Sequence, residues 1–360
     1  MAEFGAAGIS VSFDPDFGIL ERFTVTDGAR NIAPLHRAPW VGTDEVMPEA
    51  LDPHLTRLGG DFFCAPFAAS DNGSPLHGWP PNSAWTMSAC GLITGGAQLR
   101  AQLQRPVRGA RLSKTLTLRD GHPFVYQSHD FTGGTGRITA SNHANVSVPN
   151  GAFIQTSPKR VWETPASAPE LDLTRGRSLL SYPSKSQDPR RFPAVGGLVD
   201  LTVYPWGRAH EDVVFGIEAA GSALGWTAIT RPAEGDLFLS LRNAHDVPVT
   251  TLWHSNGGRD YAPWSGRHFG CLGVEEGAVE THLAFTTPDD LAGRGSLKLH
   301  ENTRTRMCHV IGAIDWPSGA PVADITVHHD TLRVAGDDGT IREMPIDGAF
   351  LRLGDCCEQS

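Results

Sequence analysis

Residues 264–276 read Trp-Ser-Gly-Arg-His-Phe-Gly-Cys-Leu-Gly-Val-Glu-Glu. The stretch ends in a short apolar run, Leu272-Gly273-Val274, and delivers a carboxylate, Glu275, where the run should close. A brief apolar run bounded by turn residues is a strand signal. Gly270 and Gly273 let a neighbouring backbone or side chain come close, and Trp264 and the cation Arg267 lie just before. A carboxylate at the end of a buried strand is costly unless something holds it. Glu275 therefore marks either the strand's exit into water or a working group.

Outward from this stretch, the chain repeats the same texture. Short or alternating apolar runs occur at 9–13, 18–25, 125–129, 152–154, 213–218 and 237–241, and the last third adds 325–328, 332–334, 341–344 and 349–353, spaced as a meander. Asp-Gly pairs at Asp27, Asp120 and Asp338 supply hairpin-type turns. The 40 glycines and 26 prolines sit between runs as turn punctuation and do not form low-complexity blocks. The one helical candidate, 43–57, is interrupted by Pro48 and Pro53. Many short strands separated by turns predict an all-β protein, a large antiparallel β-sandwich or barrel. No internal repeat is visible. Residues 157–193 carry few periodic apolar positions and are expected to form a long loop or insertion, a possible lid, within one domain spanning 1–360.

The 360 residues carry a net charge of −10, which argues against a nucleic-acid partner because phosphate neutralisation needs a basic face. No run approaches the ~20 apolar residues of a membrane span. The N-terminus lacks the basic and apolar regions of a secretory signal. Six cysteines occur singly except for Cys356-Cys357, expected in an exposed tail, and none shows a CxxC spacing. Reduced thiols and a cytoplasmic location are the expectation. No His-x-His pair exists, and His328 and His329 would point to opposite faces of one strand, so neither a metal nor another cofactor is expected. Gly133-Gly134-x-Gly136 precedes no helix and is no dinucleotide loop. A Gly-x-Ser-x-Gly elbow is absent.

Two further stretches carry polar groups in apolar or small-residue surroundings. Residues 59–85 hold Gly59-Gly60, Cys64, Pro66 and Phe67, then His77-Gly78-Trp79, Asn82 and Trp85; residues 138–150 hold Asn142-His143 and Pro149. Together with Leu272-Gly273-Val274-Glu275, these three motifs in this order resemble the aldose 1-epimerase (galactose mutarotase-like) superfamily, particularly its hexose-6-phosphate mutarotase branch. The resemblance spans about residues 59–276 and implies a galactose mutarotase-like supersandwich and a sugar substrate. It further implies that Glu275 is the general base on the anomeric hydroxyl, that His143 is the general acid on the ring oxygen, and that His77 bonds the substrate near the reacting centre. Trp79, Asn82, Asn142, Trp264 and Arg267 are the expected substrate-binding residues. Because successive strand residues face opposite ways, only one of Glu275 and Glu276 can face the site, and the motif selects Glu275.

The chemistry needs such a pair. Opening the ring removes a proton from O1 while another reaches O5, and a partly desolvated carboxylate with an imidazole does this without a cofactor. Two departures stand out. Pro80-Pro81 occupies the place where sugar-phosphate branches carry an arginine, and the segment Phe67-Ala68-Ala69-Ser70 lacks the arginine of the ordinary epimerases. An unphosphorylated aldose follows, unless Arg57, Arg259 or Arg267 supplies the missing cation. Two readings lead, a mutarotase and a non-catalytic carbohydrate-binding protein on the same fold, with a metal-dependent cupin-type isomerase or oxygenase as the third. Sequence leaves the oligomeric state open.

Overall fold

In the computed structural model, which describes residues 1–68 and 73–353, the alternating runs form strands that assemble into two large antiparallel sheets. The first runs in the spatial order Ala2–Ala6, Ile9–Asp14, Ile19–Asp27, Asp61–Cys64, Ala140–Ser147, Cys271–Ala278, Val249–Asn256, His210–Glu218, Lys159–Glu163 and Lys185–Ser186. The second runs Val203–Tyr204, Ala152–Thr156, Leu224–Arg231, Asp236–Asn243, Arg304–Asp315, Phe124–Gly133, Ala110–Arg119, Gly96–Leu103 and Trp85–Ile93. Their facing sides share one apolar core, with Ala144, Val146, Leu272 and Val274 from the first sheet against Ile229, Phe238 and Ile311 from the second. The expected all-β sandwich is what the chain forms.

The meander at the C-terminal end is present as Val322–His328, Thr331–Gly336 and Ile341–Pro345. It covers the outer face of the second sheet, where Ile325, Leu332 and Val334 pack on Tyr126, Leu239 and Val310. The expected strand at 349–353 is instead a short helix, Gly348–Leu353. Asp347 Oδ1 accepts the Phe350 N–H at 3.1 Å, which satisfies a first-turn donor and starts the turn. The expected helix over 43–57 reduces to a 3₁₀ turn, Pro53–Arg57, as the two prolines would require. Residues 157–193 are only partly a loop. Lys159–Glu163 joins the first sheet beside His210–Glu218, because Trp162 enters the core over Gly216, where an added Cβ would lie 2.8 Å from the indole. Cys356-Cys357 and the Ala69-Ser70 segment lie outside the described residues.

Register in the first sheet decides the rest. The Cα pairs Phe62↔His143, His143↔Glu275, Glu275↔Thr251 and Thr251↔Phe215 form one row across the strands, pointing away from the sandwich interior. Glu276, one residue on, points inward. There it accepts from Thr227 Oγ1 at 2.6 Å and Thr250 Oγ1 at 2.9 Å, and meets Arg242 at 3.0 Å. Arg242, itself fully buried, also pairs with Glu218, which holds Lys159 at 2.5 Å. Each charge in this interior cluster is partnered, and removing one partner strands the others in a dry environment. Arg242→Ala is expected to cost roughly 3–5 kcal/mol of folding stability, read from urea unfolding curves compared at one pH.

Candidate functional site

The outward row is the floor of a cavity of about 420 Å³. Its lining includes His54, Phe62, His77, His143, Thr251, Trp253, Trp264 and Glu275, with Pro165, Ser167 and Pro169 from the long loop. Glu275 does not stand at a strand end, where the close of its apolar run would put it, and His143 is mid-strand as well. Both sit inside strands, Cys271–Ala278 and Ala140–Ser147, and both are almost wholly buried. The apolar run ends at Val274, but hydrogen-bond pairing with both neighbouring strands continues through Gly277.

His143 Nε2 lies 3.4 Å from Glu275 Oε1. Burial, with the Glu276 carboxylate behind, pushes Glu275 up to about 8. Burial takes His143 down to about 3. Both groups are thus neutral at pH 7, and the contact is a carboxylic acid against an imidazole sharing one labile proton rather than an ion pair. The backbone of His143 is held from the other side, where its N–H donates to Asp61 Oδ1 at 3.2 Å. Phe62 stacks on the imidazole with ring centroids 4.4 Å apart. Gly273 makes room for this packing: a Cβ there would meet Trp253 Cβ at 3.0 Å and His143 Cε1 at 3.3 Å.

His77 reaches the same cavity from the loop after Asp61–Cys64. Its φ of +65° is unusual for a side-chain-bearing residue, and such strain concentrates at functional positions. Gly78 follows at φ +75°, where a Cβ would lie 2.1 Å from the Ala65 carbonyl oxygen. Only glycine allows that approach, and the approach sets the loop. His77 Nδ1 is 3.4 Å from Cys64 Sγ, and its ring meets that of His143 edge-on at 5.3 Å. Burial keeps the imidazole neutral.

The structure thus brings together Glu275, His143, His77 and Trp264. It places the other expected binding residues elsewhere. Asn82 is a brace: its amide nitrogen donates to the carbonyls of Leu76 and Gly78 at 2.8 and 2.7 Å, and its Oδ1 accepts from His54 N–H at 2.9 Å. Trp79 lies under Arg105, whose guanidinium is 4.3 Å from the ring centroid. Asn142 pairs in register with Glu276 and faces the sandwich interior. Arg267 is bound to the Glu45 carboxylate at the surface. Two further residues line the cavity: Arg259, one of the three cations offered by the sequence, and His54, which no motif marks. His54, the second residue of the 3₁₀ turn Pro53–Arg57, presents Nε2 without a partner while its Nδ1 is 3.0 Å from Asn82 Oδ1. Arg259 lies 4.4 Å over the Trp264 ring and 3.3 Å from Glu211.

No protein-family model matches the sequence, and no curated protein matches it. Solved structures do. A galactose mutarotase related enzyme from Lactobacillus acidophilus has 9% identity over 87% of this chain and 97% of its own, with a TM-score of 0.54. A galactose mutarotase-like protein from Lactobacillus casei has 10% identity over 87% and 99%, also at 0.54. A Salmonella typhimurium protein provisionally named a mutarotase has 14% identity over 86% and 88%, at 0.55. At such identities the likeness establishes the fold, which is the galactose mutarotase-like fold.

The neutral buried carboxyl has a thermodynamic signature. An unfolded Glu275 ionises near its ordinary value of 4.5, the folded one only near about 8. The stability tied to the neutral acid is therefore complete below the lower value and is lost as pH rises through the upper one. Glu275→Gln removes that dependence. Between about pH 4 and about pH 9, the stability difference between variant and parent should move by roughly 3–5 kcal/mol in the variant's favour, measured by denaturant unfolding.

Proposed function

We propose that this protein is an aldose 1-epimerase, interconverting the α and β anomers of an unphosphorylated aldose. The observation that carries the proposal is the His143–Glu275 contact of 3.4 Å on the floor of an aromatic-walled cavity. The pair holds one proton on two groups, which is what ring opening consumes and returns. Transfer across the contact converts acid and imidazole into carboxylate and imidazolium without exchange with solvent. Glu275 then takes the O1 proton, and His143 delivers its proton to O5 as the C1–O5 bond breaks and C1=O1 forms. The aldehyde rotates about C1–C2 and recloses on its other face, returning both protons. A polar sugar in the cavity favours the charged form of the pair, because its hydroxyls replace part of the lost hydration.

His77 and His54, both neutral, are placed to hydrogen-bond sugar hydroxyls, and Trp253 and Trp264 offer faces for the apolar side of a pyranose. Arg259 is the cation of the described lining, and Glu211 and the Trp264 ring already engage it. A phosphate dianion would have to compete with that carboxylate, which supports a neutral substrate. Trp264 in the cavity wall also fits a sugar-binding protein without activity, and the exchange measurement below separates the two readings.

Magnetisation transfer between the α and β anomeric proton signals of an aldose panel should appear on adding protein, and Glu275→Gln should reduce the enzymatic rate by about 10²–10⁴-fold while line broadening by binding persists. Broadening without transfer in the parent protein would establish the binding reading instead. The pH profile should be one-sided. Above the spontaneous rate, activity should fall as pH passes about 8, where Glu275 loses the shared proton, with no acid limb near the ordinary histidine value of 6.5, because burial takes His143 down to about 3. A bell centred on the ordinary histidine value would contradict this assignment of the proton.

A further inference from the structure

A second cluster of donor atoms lies on the same outward face of the first sheet. His36, His268 and Cys271 are all buried, and one ligand atom from each falls within 4.8 Å of the others. The two Nε2 atoms are 3.0 Å apart. Cys271 opens the strand that carries Glu275 four residues later, so the cluster is about 13 Å from the reacting pair along that strand.

The surroundings prepare His268 for a cation. Ser255 Oγ donates to Glu211 Oε2 at 2.9 Å, which commits the hydroxyl proton. The same oxygen, 2.7 Å from His268 Nδ1, must then accept, so His268 carries its proton on Nδ1 and presents a bare lone pair at Nε2. A carboxylate–hydroxyl–imidazole chain of this kind orients a metal-binding histidine and raises its basicity. That lone pair faces the Nε2 of His36 at 3.0 Å, a contact that takes either the His36 Nε2 proton or a cation between the two nitrogens. Nearby, Asn145 Oδ1 is 3.9 Å from Cys271 Sγ, and the Asn145 amide nitrogen is already used on the Gly60 carbonyl. This leaves the oxygen turned toward the thiol as a fourth donor.

We propose that His36, His268 and Cys271, with Asn145 Oδ1 completing the set, form a structural binding site for a borderline-soft transition-metal ion of the Zn²⁺ type. Two imidazoles and a thiolate are the donor set that such an ion prefers. Contraction of the widest separation, 4.8 Å, to the roughly 3.6 Å edge of a tetrahedral N–S site needs only side-chain adjustment. On binding, Cys271 gives up its thiol proton and the ion takes its place. The three main ligands come from the segment after Arg30–Ile32, the loop before Cys271–Ala278 and the first residue of that strand. The ion would therefore pin the loop bearing Arg259 and Trp264 to the sheet behind the cavity.

Co²⁺ is the probe. Full-length, tag-free protein, stripped with chelator and kept reduced, is titrated with CoCl₂. The expected result is an intense thiolate-to-cobalt charge-transfer band that saturates at a single equivalent, survives Cys64→Ser and Cys90→Ser, and is bleached by Zn²⁺. It should vanish in Cys271→Ser. Because that variant could be misfolded, His36→Gln provides an independent reading: Zn²⁺ should raise the unfolding temperature of the parent protein and leave that of His36→Gln unchanged. No band in the parent, or a band that persists in Cys271→Ser with normal circular dichroism, would overturn the site. The readout does not involve epimerase activity, so failure here and failure of the proposed reaction are distinguishable.

Discussion

The antiparallel register between Ala140–Ser147 and Cys271–Ala278 is the constraint on which the site depends. Two adjacent glutamates on one strand must face opposite ways. With His143 opposite Glu275, one carboxylate enters the cavity and the other enters the sandwich. A slip of one residue would exchange them, placing Glu276 before the imidazole and Glu275 among Arg242, Thr227 and Thr250. Arg242 would find a carboxylate in either register, so the interior cluster alone does not choose between them. The apolar positions do: a slip would also turn Leu272 and Val274 away from the core they share with Ala144 and Val146. Alternation along the whole strand thus holds the one register that presents Glu275 outward.

Proton economy follows from the same placement. Glu276 holds its carboxylate one residue behind Glu275 and adds to the effect of burial in keeping the Glu275 proton on. His143, buried and with Phe62 stacked on one face, is held neutral. Dry surroundings therefore set up a pair carrying one proton, which neither group would hold in water at pH 7 in that form. The fold achieves this without a buried unpaired charge in the resting state. The charged form arises only by transfer within the pair.

The loops over the first sheet convert this floor into a cavity. Gly78 brings the His77 loop against Ala65, Asn82 ties that loop to His54, and Gly273 lets Trp253 and His143 pack side by side. Each device is a small residue or an amide whose role lies in a contact with a distant segment. The sequence showed that Gly273 admits a close neighbour, but not which neighbour, nor what Gly78 and Asn82 hold in place. Trp79, Asn82 and Asn142 lie near the motif histidines in sequence, yet they serve the framework. His54 and Arg259 carry no motif of their own, yet they line the cavity.

The all-β character was written in the sequence because alternation and turn chemistry act over a few residues, where chain connectivity already sets geometry. Asp-Gly turns, proline breaks and apolar runs needed no partner to be read. The choice between Glu275 and Glu276 was also partly legible, since alternation demanded that one of the two turn inward. Other features depended on distant partners. The length of the Glu275 strand beyond its apolar run, the helix at Gly348–Leu353 and the sheet pairing of Lys159–Glu163 were decided by tertiary contacts. So was the meeting of His36 with His268, 232 residues apart. A donor's chemistry belongs to its residue type, but its partners, its dryness and hence its proton are fixed only when distant strands close around it.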